Sequence, residues 1–323
     1  LLAHCRALWG VHESGGGSDP LLAGIAPCSI SDWVSVSGSC RFSDLSPCLW
    51  VKAIDLFAGW GGFTLGASLA GVNVVWAANH WNLAVETHAA NHPSVQHVCQ
   101  DLRQADWSSL PTGIDLVLAS PACQGHSTAS QPRRRAYHDA LRATAWSVID
   151  CVEVVRPRAV VVENVPSFRR WQLYTLWLEA LRTLGYYVQE HLLVASHHGV
   201  PQRRERLFVV GQQTARTLQF STKPEPAFEP CIDWSADGWR PITTAGAGAQ
   251  ARFAAGRSKF GKTFLSQHVT GHAGVPLHEP IRTITTQDHW VLVDGDRYRP
   301  LTGREIARGM GFPVLCASSM PSK

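Results

Sequence analysis

Long apolar runs are missing from this sequence. No stretch approaches the roughly 18 consecutive apolar residues that a membrane-spanning helix needs. The first residues also lack the charged-then-apolar pattern that marks a secretory signal. We therefore expect a protein that has no membrane partner.

Closely spaced cysteines are missing as well. The nine cysteines are scattered, and no two of them stand in a Cys-x-x-Cys pattern. This spacing disfavours a disulfide framework and a zinc ribbon, so we predict no metal site. Unpaired thiols are typical of a reducing compartment, and we expect the protein to be cytoplasmic.

Methionine is scarce, with only two residues, of which the first is Met310. Residues 1–50 are rich in glycine, serine and cysteine and show no clear hydrophobic period. We expect this segment to be a poorly ordered or non-native leader, and we hypothesise that Val51 is the true start.

Neither an internal repeat nor a strong charge imbalance is present. Charged residues make up 17% and hydrophobic residues 45% of the 323 positions, as in an ordinary folded protein. A net charge of +4 is compatible with a polyanionic partner but does not indicate one by itself. The length allows one large domain, alone or with a smaller one.

From Val51 onward, short apolar runs alternate with segments of helical period. Strands are predicted over Val51–Phe57, Val72–Ala78, Asp115–Ala119, Arg158–Val165, Tyr186–Ala195 and Arg206–Gly211. Helices are predicted over Phe63–Ala70, Trp81–His92, Ala140–Val155 and Trp171–Leu184. This alternation predicts an α/β fold in which helices cover both faces of a parallel or mixed sheet. Ligands of such folds bind at the carboxyl ends of the strands, so the residues there are the first functional candidates.

The regular alternation stops at Gln212. Residues 213–290 are rich in proline, glycine, alanine and threonine, which predicts a smaller, loop-rich domain. Thr302–Met310 returns to a helical pattern.

A glycine-rich turn follows the first predicted strand, in the order Phe57, Ala58, Gly59, Trp60, Gly61 and Gly62. Such a turn lets the backbone approach a ligand, and the helix after it offers N–H groups to an anion. A nicotinamide dinucleotide is disfavoured because Thr64 replaces the third glycine, and Asn79 and His80 stand where an acidic residue would hold the ribose. A smaller nucleoside with a carboxylate, such as S-adenosylmethionine, fits better. A purely structural turn is the alternative.

Cys123 lies just past a predicted strand, within Ser-Pro-Ala-Cys-Gln-Gly-His-Ser. A thiol at that place is exposed and reactive rather than buried, which makes it a candidate nucleophile. Most free cysteines are small core residues, and that interpretation is the alternative.

Glu163 ends a fully apolar strand. A carboxylate costs several kcal/mol to bury there unless it is paired or neutral, so Glu163 is a candidate proton donor. A structural ion pair is the alternative.

Arg203, Arg204 and Arg206 alternate in direction on an extended segment. One face can meet Glu163 or a bound base, and the other can meet phosphate. A solvated run of charges is the alternative.

Six segments, taken together and in this order, resemble the motifs of the DNA (cytosine-5-)-methyltransferase family. They are DLFAGWGG (55–62), SPACQGHS (120–127), ENV (163–165), GVPQRRER (199–206), RTITT (282–286) and LTGREIARGMGFP (301–313). The resemblance covers about residues 51–313. It implies a Rossmann-like fold of the S-adenosylmethionine-dependent methyltransferases with a smaller target-recognition domain.

The resemblance implies methyl transfer from S-adenosylmethionine to carbon 5 of cytosine in duplex DNA, through a flipped base bonded covalently to Cys123. Its catalytic residues would be Cys123, Glu163, Arg204 and Arg206. Its cofactor-binding residues would be Phe57, Ala58, Gly59, Trp60, Gly61, Gly62, His80, Trp81, Asp101, Leu102 and Pro121. Its nucleic-acid-binding residues would be Gln124, Ser127, Arg133, Arg134, Arg135, Arg203 and Thr285.

The same resemblance implies a division of the chain. Residues 51–212 would form the catalytic, cofactor-binding domain and 213–290 the target-recognition domain. Residues 291–323 would return to the catalytic domain and be truncated, because the closing Gly-Asn-rich motif of the family is absent. Ala122 also replaces the usual proline before the nucleophile, and His80 replaces the acidic residue that usually holds the cofactor ribose.

Three functions remain open from sequence. The first is a bacterial or phage DNA methyltransferase, monomeric and associated with the nucleoid, either solitary or paired with a cognate restriction endonuclease. The second is a transfer-RNA cytosine methyltransferase, although the sizeable segment 213–290 favours a duplex DNA reader. The third is a catalytically inactive copy that binds nucleic acid.

Overall fold

The computed structural model describes residues 51–122, 144–268, 273–285 and 290–313. The predicted leader 1–50 and the last ten residues, 314–323, lie outside this range. The helices are α1 Gly62–Leu69, α2 Asn82–Asn91, α3 Trp146–Val155, α4 Tyr174–Thr183, α5 Ala247–Phe260 and α6 Gly303–Gly309. The strands are β1 Lys52–Leu56, β2 Asn73–Asn79, β3 Gln96–Cys99, β4 Leu116–Ala119, β5 Ala159–Asn164, β6 Tyr187–Val194, β7 Gln202–Arg203, β8 Glu205–Gln212, β9 Arg240–Pro241, β10 Thr263–Gln267, β11 Ile281–Arg282, β12 Trp290–Asp294 and β13 Arg297–Pro300.

The central feature is a seven-stranded sheet with the order β3-β2-β1-β4-β5-β8-β6. The strands from β3 to β5 are parallel to one another, whereas β8 runs antiparallel to both β5 and β6. This mixed, mostly parallel sheet confirms the predicted fold class. The chain order reverses between β1 and β4, and the crevice at such a reversal is where open α/β sheets bind ligands.

The apolar strands face two cores because successive side chains point to opposite faces of the sheet. On β1, Ile54 packs into the core that also contains Val148 of α3 and Trp177 of α4. Its neighbour Ala53 packs on the other face with Phe63 of α1. Burial on both sides explains why these strands lack a polar alternation in the sequence.

A second sheet follows the order β10-β12-β13-β9. The predicted domain boundary lies at residue 290. Strands β9 and β10 come from before it and β13 from after it, so the sheet spans that position. Against it lies α5, a 14-residue helix that the composition of 213–290 did not predict. Gly256 of α5 lies so close to the sheet that an added Cβ would be 2.1 Å from the ring of Phe264.

A buried ion pair joins the end of this sheet to α6. Arg299 and Glu305 are both fully buried, with 2.6 Å between a guanidinium nitrogen and a carboxylate oxygen. Glu305 also accepts hydrogen bonds from the backbone N–H groups of Asp233 and Thr302. These extra bonds compensate for the cost of removing two charges from water. In the described ranges, no helix is both long enough and apolar enough to cross a membrane.

Candidate active site

The glycine turn connects β1 to α1 at the reversal point of the sheet. Phe57, Gly59 and Gly61 have φ angles of 61°, 55° and 92°, in the left-handed region that glycine adopts most easily. Gly61 is the N-terminal cap of α1, and it has no side chain that could accept a hydrogen bond from the first N–H groups of the helix. The ring of Phe312 packs against this turn. It lies so close that a Cβ added to Gly62 would be 3.2 Å from the ring. The turn therefore presents the first turn of α1 to the crevice.

Residues after β2 and β3 surround the same crevice. Trp81 follows β2, and 53% of its side chain is exposed, which leaves an aromatic face for a ligand. Asp101 follows β3, and its carboxylate accepts hydrogen bonds from the backbone and the guanidinium of Arg103. Those bonds hold the pKa of Asp101 below its usual range. His80 lies between these residues, next to Trp81, and is exposed.

Three further predicted cofactor residues are less accessible. Leu102 is 2% exposed and belongs to the main core. Ala58 is 9% exposed and packs with Phe63 on the other face of the sheet. Pro121, just after β4, is buried. Side-chain contact of Leu102 with a ligand is therefore disfavoured, whereas Trp60, with 37% of its side chain exposed, is open to one.

Glu163 and Arg206 form an ion pair at the carboxyl end of β5. The antiparallel register places Glu163 opposite Phe208, so Arg206, two residues before Phe208, lies on the same face. The distance between Arg206 Nε and Glu163 Oε1 is 2.9 Å. Both side chains stay partly exposed, at 17% and 24%, which keeps a charged donor and a carboxylate acceptor at the surface of the crevice.

The next residue ties the strand end to the segment that leads to Cys123. The side chain of Asn164 donates a hydrogen bond to the carbonyl oxygen of Pro121 at 3.2 Å. The backbone N–H of Ala122 is bonded to Thr144 Oγ1 at 3.3 Å. Cys123 itself lies outside the described residues, as do the predicted nucleic-acid contacts Gln124, Ser127, Arg133, Arg134 and Arg135.

Arg203 is engaged by two carboxylates. Its guanidinium lies 2.7 Å from Glu225 and 2.9 Å from Glu279. The hydrogen bond from Arg203, followed by that from Ser196, lowers the pKa of Glu225 to about 2. Phosphate binding, the role predicted for Arg203, therefore has to compete with these two ion pairs. The backbone of Arg204 bonds to Ala195 and to Gln202.

Arg203 and Thr285, both predicted nucleic-acid residues, line one groove of about 880 Å³ in the second half of the chain. Lys259 and Arg282 contribute positive charge to this groove, and Gln267 contributes an amide. Side chains of these types bind phosphates and base edges. The groove brings together two candidates that are distant in sequence.

A buried polar chain beneath the glycine turn was not predicted. Thr64 of α1 donates to Asp55 Oδ2 at 2.7 Å and is bonded to His88 Nε2 at 3.1 Å. The other ring nitrogen of His88 lies 2.7 Å from His97 Nε2. When Asp55 is ionised, Thr64 gives it the one proton it has, so His88 donates to Thr64 and His97 donates to His88. One hint of this polar chain was present in the sequence, namely two histidines nine residues apart, His88 and His97.

Burial sets the protonation of this chain. It raises the pKa of Asp55 to about 7, although hydrogen bonds from Thr64 act in the opposite direction. It lowers the pKa of His88 to about 3, and the nearby His92 and His97 lower it further. The two groups therefore respond to pH in opposite ways.

In the described residues, no group of three histidine, cysteine or acidic side chains is placed to hold a metal ion.

Replacing Asp55 with asparagine is expected to change how the free energy of unfolding depends on pH. The folded pKa of about 7 lies above the ordinary value of 3.8, so the contribution of Asp55 is fully present below 3.8 and is lost as the pH rises through 7. The stability of Asp55→Asn relative to the parent should therefore increase by up to about 4 kcal/mol from about pH 4 to about pH 7. Urea unfolding at about pH 5 and about pH 8 measures the part of this increase that occurs above pH 5.

His88→Gln provides the opposite comparison. The folded pKa of His88 lies below the ordinary value of 6.5, so its contribution is present above 6.5 and is lost as the pH falls. The stability of this variant relative to the parent should therefore increase as the pH falls. Equal differences at both pH values for both variants would contradict the assigned protonation.

The strand order with an antiparallel β8, together with the glycine turn, defines the Rossmann-like fold of the S-adenosylmethionine-dependent methyltransferases. Residues 51–237, more than half of the chain, match the family model of the C-5 cytosine-specific DNA methylases. The chain belongs to this family.

Curated relatives agree with that assignment. The type II methyltransferase M.AgeI of Thalassovita gelatinovora is 31% identical over 187 residues, which are 55% of this chain and 42% of that protein. The type II methyltransferase M.HgiDI of Herpetosiphon aurantiacus is 34% identical over 169 residues, which are 50% of this chain and 52% of that protein. The chain thus spans about half the length of the curated relatives it matches.

Solved structures support the fold alone. A protein described as a DNA modification methyltransferase of an E. coli prophage has a TM-score of 0.63 and 20% identity, covering 82% of this chain and 90% of its own. The S. pombe Dnmt2 methyltransferase has a TM-score of 0.57 and 17% identity, covering 84% and 90%.

Proposed function

We propose that this protein transfers a methyl group from S-adenosylmethionine to carbon 5 of cytosine in duplex DNA. The observation that carries the proposal is the ion pair of Glu163 and Arg206 at 2.9 Å, at the carboxyl edge of the sheet that also presents the glycine turn. The pair offers a carboxylate and a guanidinium side by side, which matches the donor and acceptor edge of cytosine.

The residues around the crevice fit the cofactor. Gly59 and Gly61 adopt positive φ angles that favour glycine, so the turn carries no side chain at these two positions. The N-terminal end of α1 offers a positive dipole end to a carboxylate. Trp81 offers an exposed ring for stacking on adenine, and Asp101 offers acceptors for an amino group. Bound S-adenosylmethionine supplies the methyl group.

The protein's own residues activate the base. The target cytosine leaves the stack, which costs a few kcal/mol, and enters the crevice. The Cys123 thiolate then forms a bond to carbon 6, and the electron pair of the carbon 5–carbon 6 double bond makes carbon 5 nucleophilic. Glu163, as the carboxylic acid, donates to ring nitrogen 3 and accepts from the exocyclic amine, and Arg206 donates to the base oxygen. After transfer, a base removes the carbon 5 proton and the thiolate leaves.

The partners follow from the same reaction. Residues 213–290 provide the target-recognition domain, and the groove beside Arg203 and Thr285 is its candidate contact with duplex DNA. We propose a monomer that acts in the cytoplasm of a bacterium, alone or beside a cognate restriction endonuclease. The relatives named as type II methyltransferases support this setting.

Transfer of labelled methyl from S-adenosylmethionine tests the proposal, with duplex DNA and transfer RNA offered in parallel. We expect label in DNA, recovered as 5-methyldeoxycytidine after digestion. A duplex without cytosine is the control and should remain unlabelled. Label in RNA alone would replace the substrate by transfer RNA. No label in either nucleic acid would overturn the proposed activity and leave an inactive nucleic-acid-binding copy as the better account.

A further inference from the structure

The glycine turn is intrinsically adaptable. Glycine loses more conformational freedom on ordering than any other residue, and the turn contains three glycines within four positions, Gly59, Gly61 and Gly62. Internal backbone bonds, such as Gly61 N–H to the carbonyl of Ala58 at 3.0 Å, hold part of it. If nothing else held the turn, a ligand that binds only one conformation of it would have to offset the entropy lost when the turn becomes ordered.

Two side chains from the end of α2 provide such order. Asn91 donates from Nδ2 to the carbonyl oxygen of Trp60 at 3.2 Å, and His92 Nε2 lies 3.1 Å from the carbonyl oxygen of Gly61. A carbonyl oxygen only accepts hydrogen bonds, so His92 Nε2 carries the proton. We call these two side chains the loop clamp. The ring of His92 also lies in close contact with Gly61, so that a Cβ added to Gly61 would be 2.4 Å from the ring.

The clamp controls the direction of backbone N–H groups. In a planar trans peptide, the carbonyl and the following N–H point in opposite directions. The carbonyl oxygen of Gly61 accepts from Leu65 N–H at 2.8 Å, and His92 adds a second bond to the same oxygen. Together these bonds fix the N–H of Gly62, the first residue of α1. The N–H groups at this end of a helix are the ones that bind an anion.

The helix that carries the clamp is itself anchored. One turn before His92, His88 is bonded to Thr64 of α1 and to His97 of β3. The rings of His88 and His92 lie 4.8 Å apart, so the anchored ring packs beside the clamp. Burial lowers the pKa of His92, which keeps the ring neutral and its Nε2 proton directed at Gly61.

We propose that Asn91 and His92 are positioning residues that hold the glycine turn in the shape that binds the adenosyl cofactor. This inference rests on the proposed function, because it assigns the turn to that cofactor. The clamp reduces the ordering cost that binding would otherwise have to overcome.

His92→Phe and His92→Gln test the role of the hydrogen bond. Phenylalanine keeps a ring but loses the donor, whereas the glutamine amide nitrogen can replace Nε2. Two quantities are measured: amide hydrogen exchange of residues 57–65 in ligand-free protein, and the affinity for S-adenosylhomocysteine by calorimetry. We expect His92→Phe to speed exchange in this segment and to weaken binding roughly three- to tenfold, and we expect His92→Gln to restore both.

His191→Phe is the matched control, since it also replaces a partly buried histidine. His191 lies on β6, and its ring packs against the ring of Phe220. It should leave exchange of residues 57–65 and binding unchanged, even if the melting temperature falls. Unchanged exchange in His92→Phe, or failure of His92→Gln to restore it, would overturn the clamp. If the parent protein does not bind S-adenosylhomocysteine, the cofactor assignment fails, while the exchange result still decides whether the clamp orders the turn.

Discussion

Replacing Cys123 with serine is expected to reduce methyl transfer to DNA by at least about a thousandfold, because the covalent step is lost with its nucleophile. A thiol ionises near pH 8.5 and its thiolate is the attacking species, whereas a serine hydroxyl stays protonated at neutral pH. The substitution removes no charge and little volume. Binding of duplex DNA should therefore survive, and steady-state methyl transfer together with a DNA-binding titration checks both expectations.

Cys99→Ser is the matched control for this substitution. Cys99 is also a free cysteine and is exposed at the end of β3, where its thiol lies 3.7 Å from the carbonyl oxygen of His80. A serine hydroxyl can keep that hydrogen bond, so turnover should match the parent. Turnover by Cys123→Ser close to that of the parent would contradict the assignment of the nucleophile.

The main sheet was predictable because its signal is local. The hydrophobic runs of Val51–Phe57 and Arg158–Val165 are long enough to mark buried strands, and both strands are present, shortened slightly at their ends. The short strand Gln96–Cys99 was missed because it contains few apolar residues, and pairing with β2 decides its conformation.

The helix Ala247–Phe260 was missed for a different reason. Two glycines, Gly248 and Gly256, lower its helix propensity, and only Phe253 and Gly256 are buried. Packing of Phe253 and of the glycine against the second sheet stabilises the helix. Contacts of that kind join residues that are distant in sequence, so no local period marks them.

Parts of the candidate site could be predicted where a single unusual residue marks them in the sequence. Parts that depend on a contact between residues distant in sequence could not. Glu163 ends an apolar strand, which is a local anomaly, and Arg206 was expected to be able to meet it. The hydrogen bonds of Asn91 and His92 to the glycine turn join residues about 30 positions apart and have no sequence pattern of their own. The ion pairs of Arg203 with Glu225 and Glu279 were likewise not predictable, since a run of charged residues gives no hint of distant partners.

Replacing Glu163 with glutamine is expected to lower the turnover number for methyl transfer by about 10²–10³-fold, the usual cost of removing one preorganised electrostatic contact in an active site. Glutamine keeps the size of the side chain but cannot form the carboxylate that pairs with Arg206 in the free protein. Nor can it form the carboxylic acid that would donate to ring nitrogen 3 when the base is bound. The guanidinium then loses its fixed partner. Single-turnover methyl transfer measures the chemical step without contributions from product release.

Glu190→Gln is the matched control, because Glu190 also forms a partly exposed ion pair with an arginine. Its register partner Val209 belongs to the core on one face of the sheet, whereas Phe208, the register partner of Glu163, belongs to the core on the other.

Glu190 lies on β6, pairs with Arg169 at 2.9 Å, accepts a hydrogen bond from the hydroxyl of Tyr174 and has 29% of its side chain exposed, against 24% for Glu163. Loss of a partly exposed ion pair costs at most about 1 kcal/mol of stability, and a substitution that acts only in this way should affect the turnover of both variants alike. We expect turnover to fall only for Glu163→Gln. Equal turnover in the two variants would show that the pair of Glu163 and Arg206 is structural, and the base-binding role would then have to be assigned elsewhere.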